Sequence, residues 1–285
     1  MHDRSKFIGG SDIAAILNLD NFRTAYDVFL EKTQNASNTT PSYVMRKGTF
    51  LEEFIAQEFA KATNFELWND DCKYIDQEYS FLAGQVDRLV SFDKVFYVLE
   101  CKHTTTNLDE PKYNHVLQLQ WYLMLTNLTA GYLAYDTTYD LKYFKIERDE
   151  ELIKYIRDYA VFFWNNYVLT NTPPKPENLE DVRKLYSSAK KESTIEASED
   201  IVNIVASIKT NKEEIKKLEN ENAQLETNLL EYIKDNEVLT YNDNILATYK
   251  NQVSKRFDVN AFKEQHSNLY ASFLKETSTR VLRLK

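Results

Sequence analysis

The sequence predicts a mixed α/β fold, with a central sheet flanked by helices, followed by a long helix and a small β extension. Three observations lead there. Short apolar or alternating runs at 65–68, 74–79, 82–90, 96–102, 131–135 and 142–146 read as strands. Stretches with helical spacing lie among them, at 13–19, 25–32, 49–62, 115–126 and 149–169. A break, Thr170-Asn171-Thr172-Pro173-Pro174-Lys175-Pro176, holds three of the five prolines and closes this pattern.

Each element has a local reason. Gly9-Gly10-Ser11-Asp12 reads as a turn feeding the N-cap of the first helix. The polar stretch 34–42, rich in Asn, Ser and Thr, reads as a loop. In 49–62, Leu51, Ile55 and Phe59 form one apolar stripe. Residues 91–94 suit a hairpin turn. Helix 115–126 is apolar almost all round and is expected to be buried, and 149–169 is amphipathic through Ile153, Ile156, Phe163 and Trp164.

Beyond the prolines, 198–235 reads as one long helix. Ile208, Ile215, Leu218, Leu225 and Leu229 fit a heptad seam, with Asn211 and Asn222 as polar members. A hairpin over 238–249, a short helix at 259–265 and a last strand near Val281 follow. The expected organisation is a core over 1–170, a linker over 171–197 and an extension over 198–285.

Composition limits the function. The chain has 285 residues, a net charge of −9 and a mean hydropathy of −0.54. No run approaches the roughly 18 apolar residues of a membrane span, and Met1-His2-Asp3-Arg4 opens no secretory signal. No membrane partner is expected, and a cytoplasmic location in a bacterial host is. Two cysteines, Cys72 and Cys101, exclude a disulfide scaffold and a four-cysteine metal site. Neither GxGxxG nor GxxxxGK[ST] occurs, which argues against a nucleotide-binding fold. The acidic balance argues against bulk coating of nucleic acid, but leaves room for a local basic groove or an acidic metal pocket. The segment 250–285 carries eight basic and three acidic residues, so a DNA-backbone contact and a solvated basic face are both open for it.

The chemical signal is Asp87 followed by Glu100-Cys101-Lys102. Side chains alternate along a strand, so Glu100 and Lys102 share a face with Phe96 and Val98, while Cys101 points the other way. Charges on a buried face need a partner or a metal. Asp87, expected on the neighbouring strand, would bring a second carboxylate. Two carboxylates and a lysine suit Mg²⁺, a hard cation that takes oxygen ligands; a surface Glu–Lys pair beside an unrelated Asp is the plain alternative. Glu52 stands at the edge of its helix's apolar stripe and Glu53 points away from it. Gln118 and Gln120 sit in the buried helix and must find hydrogen-bond partners. Gln118, one turn below Tyr122, suits a carboxylate or water, and Gln120 suits a backbone group. The four histidines show no metal spacing.

With these residues in view, the chain resembles the YqaJ-type viral recombinases, relatives of phage lambda exonuclease within the PD-(D/E)XK nuclease superfamily. Ile8-Gly9-Gly10-Ser11-Asp12-Ile13-Ala14-Ala15-Ile16-Leu17 is similar to the family's opening IGGSDIAAILG. Gly48-Thr49-Phe50-Leu51-Glu52 is similar to its GxxLE helix, Gly84-Gln85-Val86-Asp87 with Glu100-Cys101-Lys102 to its D…ExK hairpin, and Gln118-Leu119-Gln120 to its QxQ helix. The tail, Ala247-Thr248-Tyr249-Lys250 and Arg256-Phe257-Asp258 with Phe262, also looks like the family's. Val86 replaces the superfamily's Pro, Asn18 the family's Gly, and the tryptophan before Arg4 is missing.

The resemblance implies a PD-(D/E)XK restriction-endonuclease-like core. It implies a metal-dependent exonuclease that resects linear duplex DNA, 5′ to 3′, for single-strand annealing in a phage or prophage system. Asp87, Glu100 and the backbone carbonyl of Cys101 would hold Mg²⁺, with Mn²⁺ as a substitute. Lys102 would be the catalytic lysine, Glu52 and Gln118 would complete the site, and Arg4 and Ser11 would bind a 5′-phosphate. The implied partners are double-stranded DNA ends, a single-strand annealing protein and further copies of the chain. An endonuclease or nickase of the same fold, and a DNA-end scaffold without catalysis, are the alternatives.

Overall fold

A two-residue turn and strict alternation build the centre of the sheet. Asp93 and Lys94, both with positive φ, reverse the chain between β4 (Arg88–Phe92) and β5 (Val95–His103). That left-handed pair suits the twist of an antiparallel hairpin. The computed structural model describes residues 4–34, 43–137 and 139–285, the side chains of Val44 and Met45 aside. The loop expected at 34–42 therefore lies, from residue 35 onward, outside the described residues.

The main sheet runs β1-β4-β5-β6-β7, with β1 (Glu66–Trp68), β6 (Ala130–Asp136) and β7 (Leu141–Glu147) beside the hairpin. β5 and β6 are parallel and the other pairs antiparallel. The crossover between the parallel strands is α4 (Tyr113–Thr126), which Asn127 ends in a left-handed cap.

Alternation on β5 divides the core. Leu99 and Cys101 pack with Ile55 and Phe59 of α3 (Tyr43–Thr63) on one face. Val98 faces the other cluster, with Leu117 and Leu119 of α4. On that side also lie α1 (Gly10–Ile16), α2 (Ala25–Thr33) and α5 (Glu150–Phe163). Helix α5 starts where the Asp149 carboxylate accepts the N–H groups of Glu151 and Leu152, both at 3.0 Å, and passes into a π-helical turn at Trp164–Val168.

Four expectations need correction. The first helix starts at Gly10, with Gly9 as N-cap; Asp12, not Ser11, closes the cap, its Oδ2 accepting Gly9 N–H at 3.0 Å. The run 82–90 is not one strand. β3 (Ala83–Gly84) pairs with β2 (Tyr74–Ile75) in a separate two-stranded sheet, and the chain then crosses over residues 85–87 to β4. Asp87 thus stands just before β4 rather than on it. The segment expected as a linker over 171–197 is partly docked. Asp181 of α6 (Leu179–Leu185) is buried and accepts from Thr24 Oγ1 at 3.0 Å, so the first compact unit runs to Leu185. Finally, no strand forms near Val281; a short helix, α9 (Ser267–Ser272), is present instead.

The second unit, Tyr186–Lys285, holds α7 (Glu199–Ile233), the hairpin β8 (Val238–Tyr241) and β9 (Asn244–Thr248), α8 (Val259–Gln265) and α9. The β8–β9 turn uses Asn242 and Asp243, both with positive φ. Among the described residues no helix is long and apolar enough to cross a membrane.

Candidate active site

The crossover at 85–87 brings Asp87 beside the end of β5. There the Cys101 N–H donates to Asp87 Oδ2 at 2.9 Å. Glu100, on the α4 side of β5, is buried, and its Oε1 accepts from Lys102 Nζ and from Gln118 Nε2, each at 2.6 Å. Gln118 Nε2 also donates to the Tyr122 hydroxyl at 3.2 Å. Oε2 of Glu100 is buried and accepts no hydrogen bond among the described residues.

Electrostatics follow from this crowding. Burial, then the neighbouring Asp87, pushes the Glu100 carboxyl up to about 8, against the pull of Lys102. Burial likewise raises Asp87, and burial with the nearby Asp87 charge raises Glu52. Lys102 is held protonated: Glu100 and Asp87 outweigh the cost of burying its ammonium.

These groups line a cavity of about 350 Å³. Asp87, Glu100, Lys102, Gln118 and Glu52 lie on its wall, as do Arg4 and Ser11. The Arg4 guanidinium donates to Ser11 Oγ. Every side chain expected at the site thus meets in one cavity. Cys101 is different: its side chain packs into the α3-side core and it meets Asp87 through its N–H.

Asp12 sits behind Arg4 and Ser11 as a fully buried hub. Its carboxylate accepts from Lys32 at 2.7 Å, Arg23 at 3.1 Å and Arg4 at 3.5 Å. These three cations hold it below the usual carboxylate range despite burial. Lys32 Nζ also donates to the Arg4 carbonyl at 2.9 Å, which ties the Arg4 backbone to the hub.

Sequence reasoning did not find Lys73, whose ammonium lies 3.9 Å from the Phe7 ring centroid and which lines the cavity with Phe7, Gln85 and Tyr122. A lone lysine before a two-residue strand carries no periodic signal. Gln120 makes the backbone bonds expected of it, donating to Glu147 O at 2.7 Å and accepting Asp149 N–H at 3.0 Å. Glu53 pairs with Arg88 at 2.6 Å. His115 stands outside the cavity, its Nδ1 2.9 Å from the Tyr135 hydroxyl.

Two glycines let the walls close. A Cβ on Gly84 would stand 2.8 Å from Tyr122 Cε1, and one on Gly10 3.0 Å from Tyr122 Cζ. The backbones of α1 and β3 approach the Tyr122 ring only because these side chains are absent.

The fit of a divalent cation rests on the carboxylate pair. Among the described residues no group of three or more His, Cys, Asp or Glu side chains is placed to hold a metal ion. Asp87 and Glu100 form a two-carboxylate set, and the unpartnered Glu100 Oε2 is an oxygen whose burial a cation would offset. Two carboxylates with waters and substrate oxygens suit Mg²⁺ rather than a closed protein cage.

A mixed sheet that presents Asp, Glu and Lys to one cavity is the arrangement expected from the resemblance to viral recombinases, and comparison with known proteins bears that resemblance out. Residues 1–129 match the YqaJ-like viral recombinase domain. The uncharacterized protein YqaJ of Bacillus subtilis (strain 168) is 29% identical over 297 residues, spanning 99% of this chain and 92% of that protein. Among solved structures, LHK-Exo in complex with dAMP aligns at 15% identity and a TM-score of 0.48, over 64% of this chain and 94% of that one. A phage related exonuclease from Haemophilus somnus 129PT aligns at 14% identity and a TM-score of 0.44, over 58% and 95%.

Proposed function

We propose that the chain is a metal-dependent exonuclease that resects linear double-stranded DNA from a 5′ end, generating single strands for annealing in phage-type recombination. The observation that carries this reading is the buried Glu100, clamped by Lys102 and Gln118 through one oxygen and free at the other, with Asp87 beside it.

The residues divide the work. Asp87 and Glu100 would hold Mg²⁺ or Mn²⁺, with the Cys101 carbonyl as a further oxygen. When bound, the cation supplies Lewis-acid charge at the phosphodiester. The Cys101 N–H keeps the Asp87 carboxylate turned toward the site. Lys102 stays protonated at neutral pH, so it neutralises charge developing on the phosphoryl oxygens and orients the attacking water. Gln118 fixes the Glu100 carboxylate and Glu52 offers a second acceptor for the water. Arg4 and Ser11, at the same cavity, bind the terminal 5′-phosphate through a charge-assisted pair of donors.

The test uses linear duplex DNA labelled at one 5′ end, with a closed circle as control. Degradation of the linear form alone, dependent on Mg²⁺ and lost in Lys102→Ala, is expected. A 5′-hydroxyl end should be degraded more slowly by the wild type, and Arg4→Ala should erase that difference. Cutting of the closed circle would make the protein an endonuclease. DNA-end binding without metal-dependent cutting would leave a scaffold.

A further inference from the structure

The second unit carries an apolar seam that its own described residues leave open. In α7 the a positions of a heptad are Ile201, Ile208, Ile215, Asn222 and Leu229, and the d positions are Ile204, Asn211, Leu218, Leu225 and Tyr232. Ile201, Ile204, Leu218 and Leu225 are each about half exposed or more, at 49%, 53%, 59% and 65%. A helix of 35 residues whose seam is left uncovered by its own unit lacks the packing that stabilises helices in proteins. The seam also contains two asparagines, and an amide inside an apolar seam is costly unless another amide meets it.

We propose that two copies of this chain pair their α7 helices antiparallel, in the register that sets Asn211 of each copy against Asn222 of the other. In an antiparallel pair an a position faces a d position. That register also sets Ile208 against Leu225, Ile215 against Leu218 and Ile204 against Leu229. By two-fold symmetry every layer occurs twice, and both amide layers are satisfied together. A slip of one heptad either way would set Asn211 against Ile215 or Leu229, leaving all four amides of the pair unmatched. One polar layer setting register in this manner is a known use of asparagine in coiled coils.

Flanking charges choose the direction. Antiparallel, Lys212 of each copy meets Glu219 of the other. Glu214 then meets Glu221, whose own helix supplies Lys217 at 3.9 Å as an offset. In a parallel, in-register pair, Glu214 would face Glu219 and Glu221 would face Glu226, each twice, with no opposite-charge pair between the helices. The Lys217–Glu221 pair within each helix is the same in both directions, so the Lys212–Glu219 contacts decide for antiparallel. The occupant is therefore a second copy rather than a foreign helix: the seam is complementary to itself, amide to amide and lysine to glutamate.

The experiment uses the full chain. Equal amounts of ¹⁵N-labelled and unlabelled protein are mixed, treated with a zero-length carbodiimide cross-linker and digested for mass spectrometry. Isotopically mixed peptides joining Lys212 to Glu219 are expected. The same two residues in one helix are separated by about 10 Å of rise and cannot link directly. Sedimentation then measures association. Asn211→Leu alone leaves Asn222 of both copies unmatched and should weaken it about 30-fold or more, on the order of 2 kcal/mol or more. The double variant N211L/N222L should restore or strengthen it, a coupling that general damage to the helix would not produce. A chain monomeric at all concentrations, absence of the mixed 212–219 link, or additive weakening in the double variant would each overturn the antiparallel pair.

Discussion

Gln118 Nε2 lies 2.6 Å from Glu100 Oε1, reaching from α4 across to the end of β5. The same oxygen takes the Lys102 ammonium at 2.6 Å, so two donors from different elements fix one carboxylate. Outer partners of a metal-binding carboxylate set its orientation and are worth about 10- to 100-fold in metal affinity or activity. On the proposed function, Gln118→Leu is expected to raise the Mg²⁺ concentration needed for half-maximal DNA degradation by roughly that factor. The thermal midpoint should change little, because Gln118 is only half-buried. Unchanged metal dependence would remove Gln118 from the site.

The buried hub behind Arg4 should be essential to the fold. Asp12 and the Lys32 ammonium are both fully buried, and Arg23 and Arg4 complete the shell. Asp12→Asn leaves Lys32 without its counter-charge, and breaking such a pair costs about 3–5 kcal/mol. Denaturant unfolding should show that loss. The double variant D12N/K32M should recover a large part of it, because the uncompensated ammonium is then gone.

His115 gives a pH dependence with a defined sign. Burial, with the nearby Lys102 and Lys112 charges, depresses its pKa to about 3, and it faces the Tyr135 hydroxyl. The ordinary value is about 6.5. The folded state thus binds the proton less readily than the unfolded one. Its contribution to stability is complete above pH 6.5 and falls as pH drops from there toward 3. Between pH 7 and pH 5 the loss from this group is about 2 kcal/mol. His115→Asn should show a correspondingly shallower fall in unfolding free energy over that interval. Parallel pH dependences would refute the buried neutral imidazole.

Gly84 is the tightest point next to the site. Its Cβ would stand 2.8 Å from Tyr122 Cε1 and 3.2 Å from Leu125 Cδ1. Overpacking of this kind costs about 1–3 kcal/mol. Gly84→Ala should lower the melting temperature, and should lower activity further by pushing Tyr122, the neighbour of Gln118. Gly48→Ala, inside α3 where a Cβ would meet nothing within 4 Å, is the control expected to leave activity unchanged and to raise the melting temperature slightly through helix propensity.

What was legible from the residues was what local periodicity encodes. Alternation on β5 put Glu100 and Lys102 on one face and Cys101 on the other, as found. Helical spacing put Gln118 one turn from Tyr122, and the structure joins them by a hydrogen bond. The stripe of α3 turned Glu52 toward the cavity. The motifs similar to those of viral recombinases fall on the same positions.

The tertiary structure decided what depends on partners distant in the chain. Residues 82–90 alternate like one strand, but β2 captures 83–84 while β1 and β5 capture 88–92, and Asp87 falls into the crossover between two sheets. No local pattern encodes that competition for partners. Ser11 and Asp12 stand side by side in one turn of the sequence, and only the packing of Lys32 and Arg23 around Asp12 made one of them a charged hub. Lys73 enters the cavity because Phe7, distant in sequence, offers its ring to the ammonium. Side-chain direction is set by backbone period and is written locally. Strand pairing and charge burial are long-range choices among competing partners, and only the folded chain resolves them.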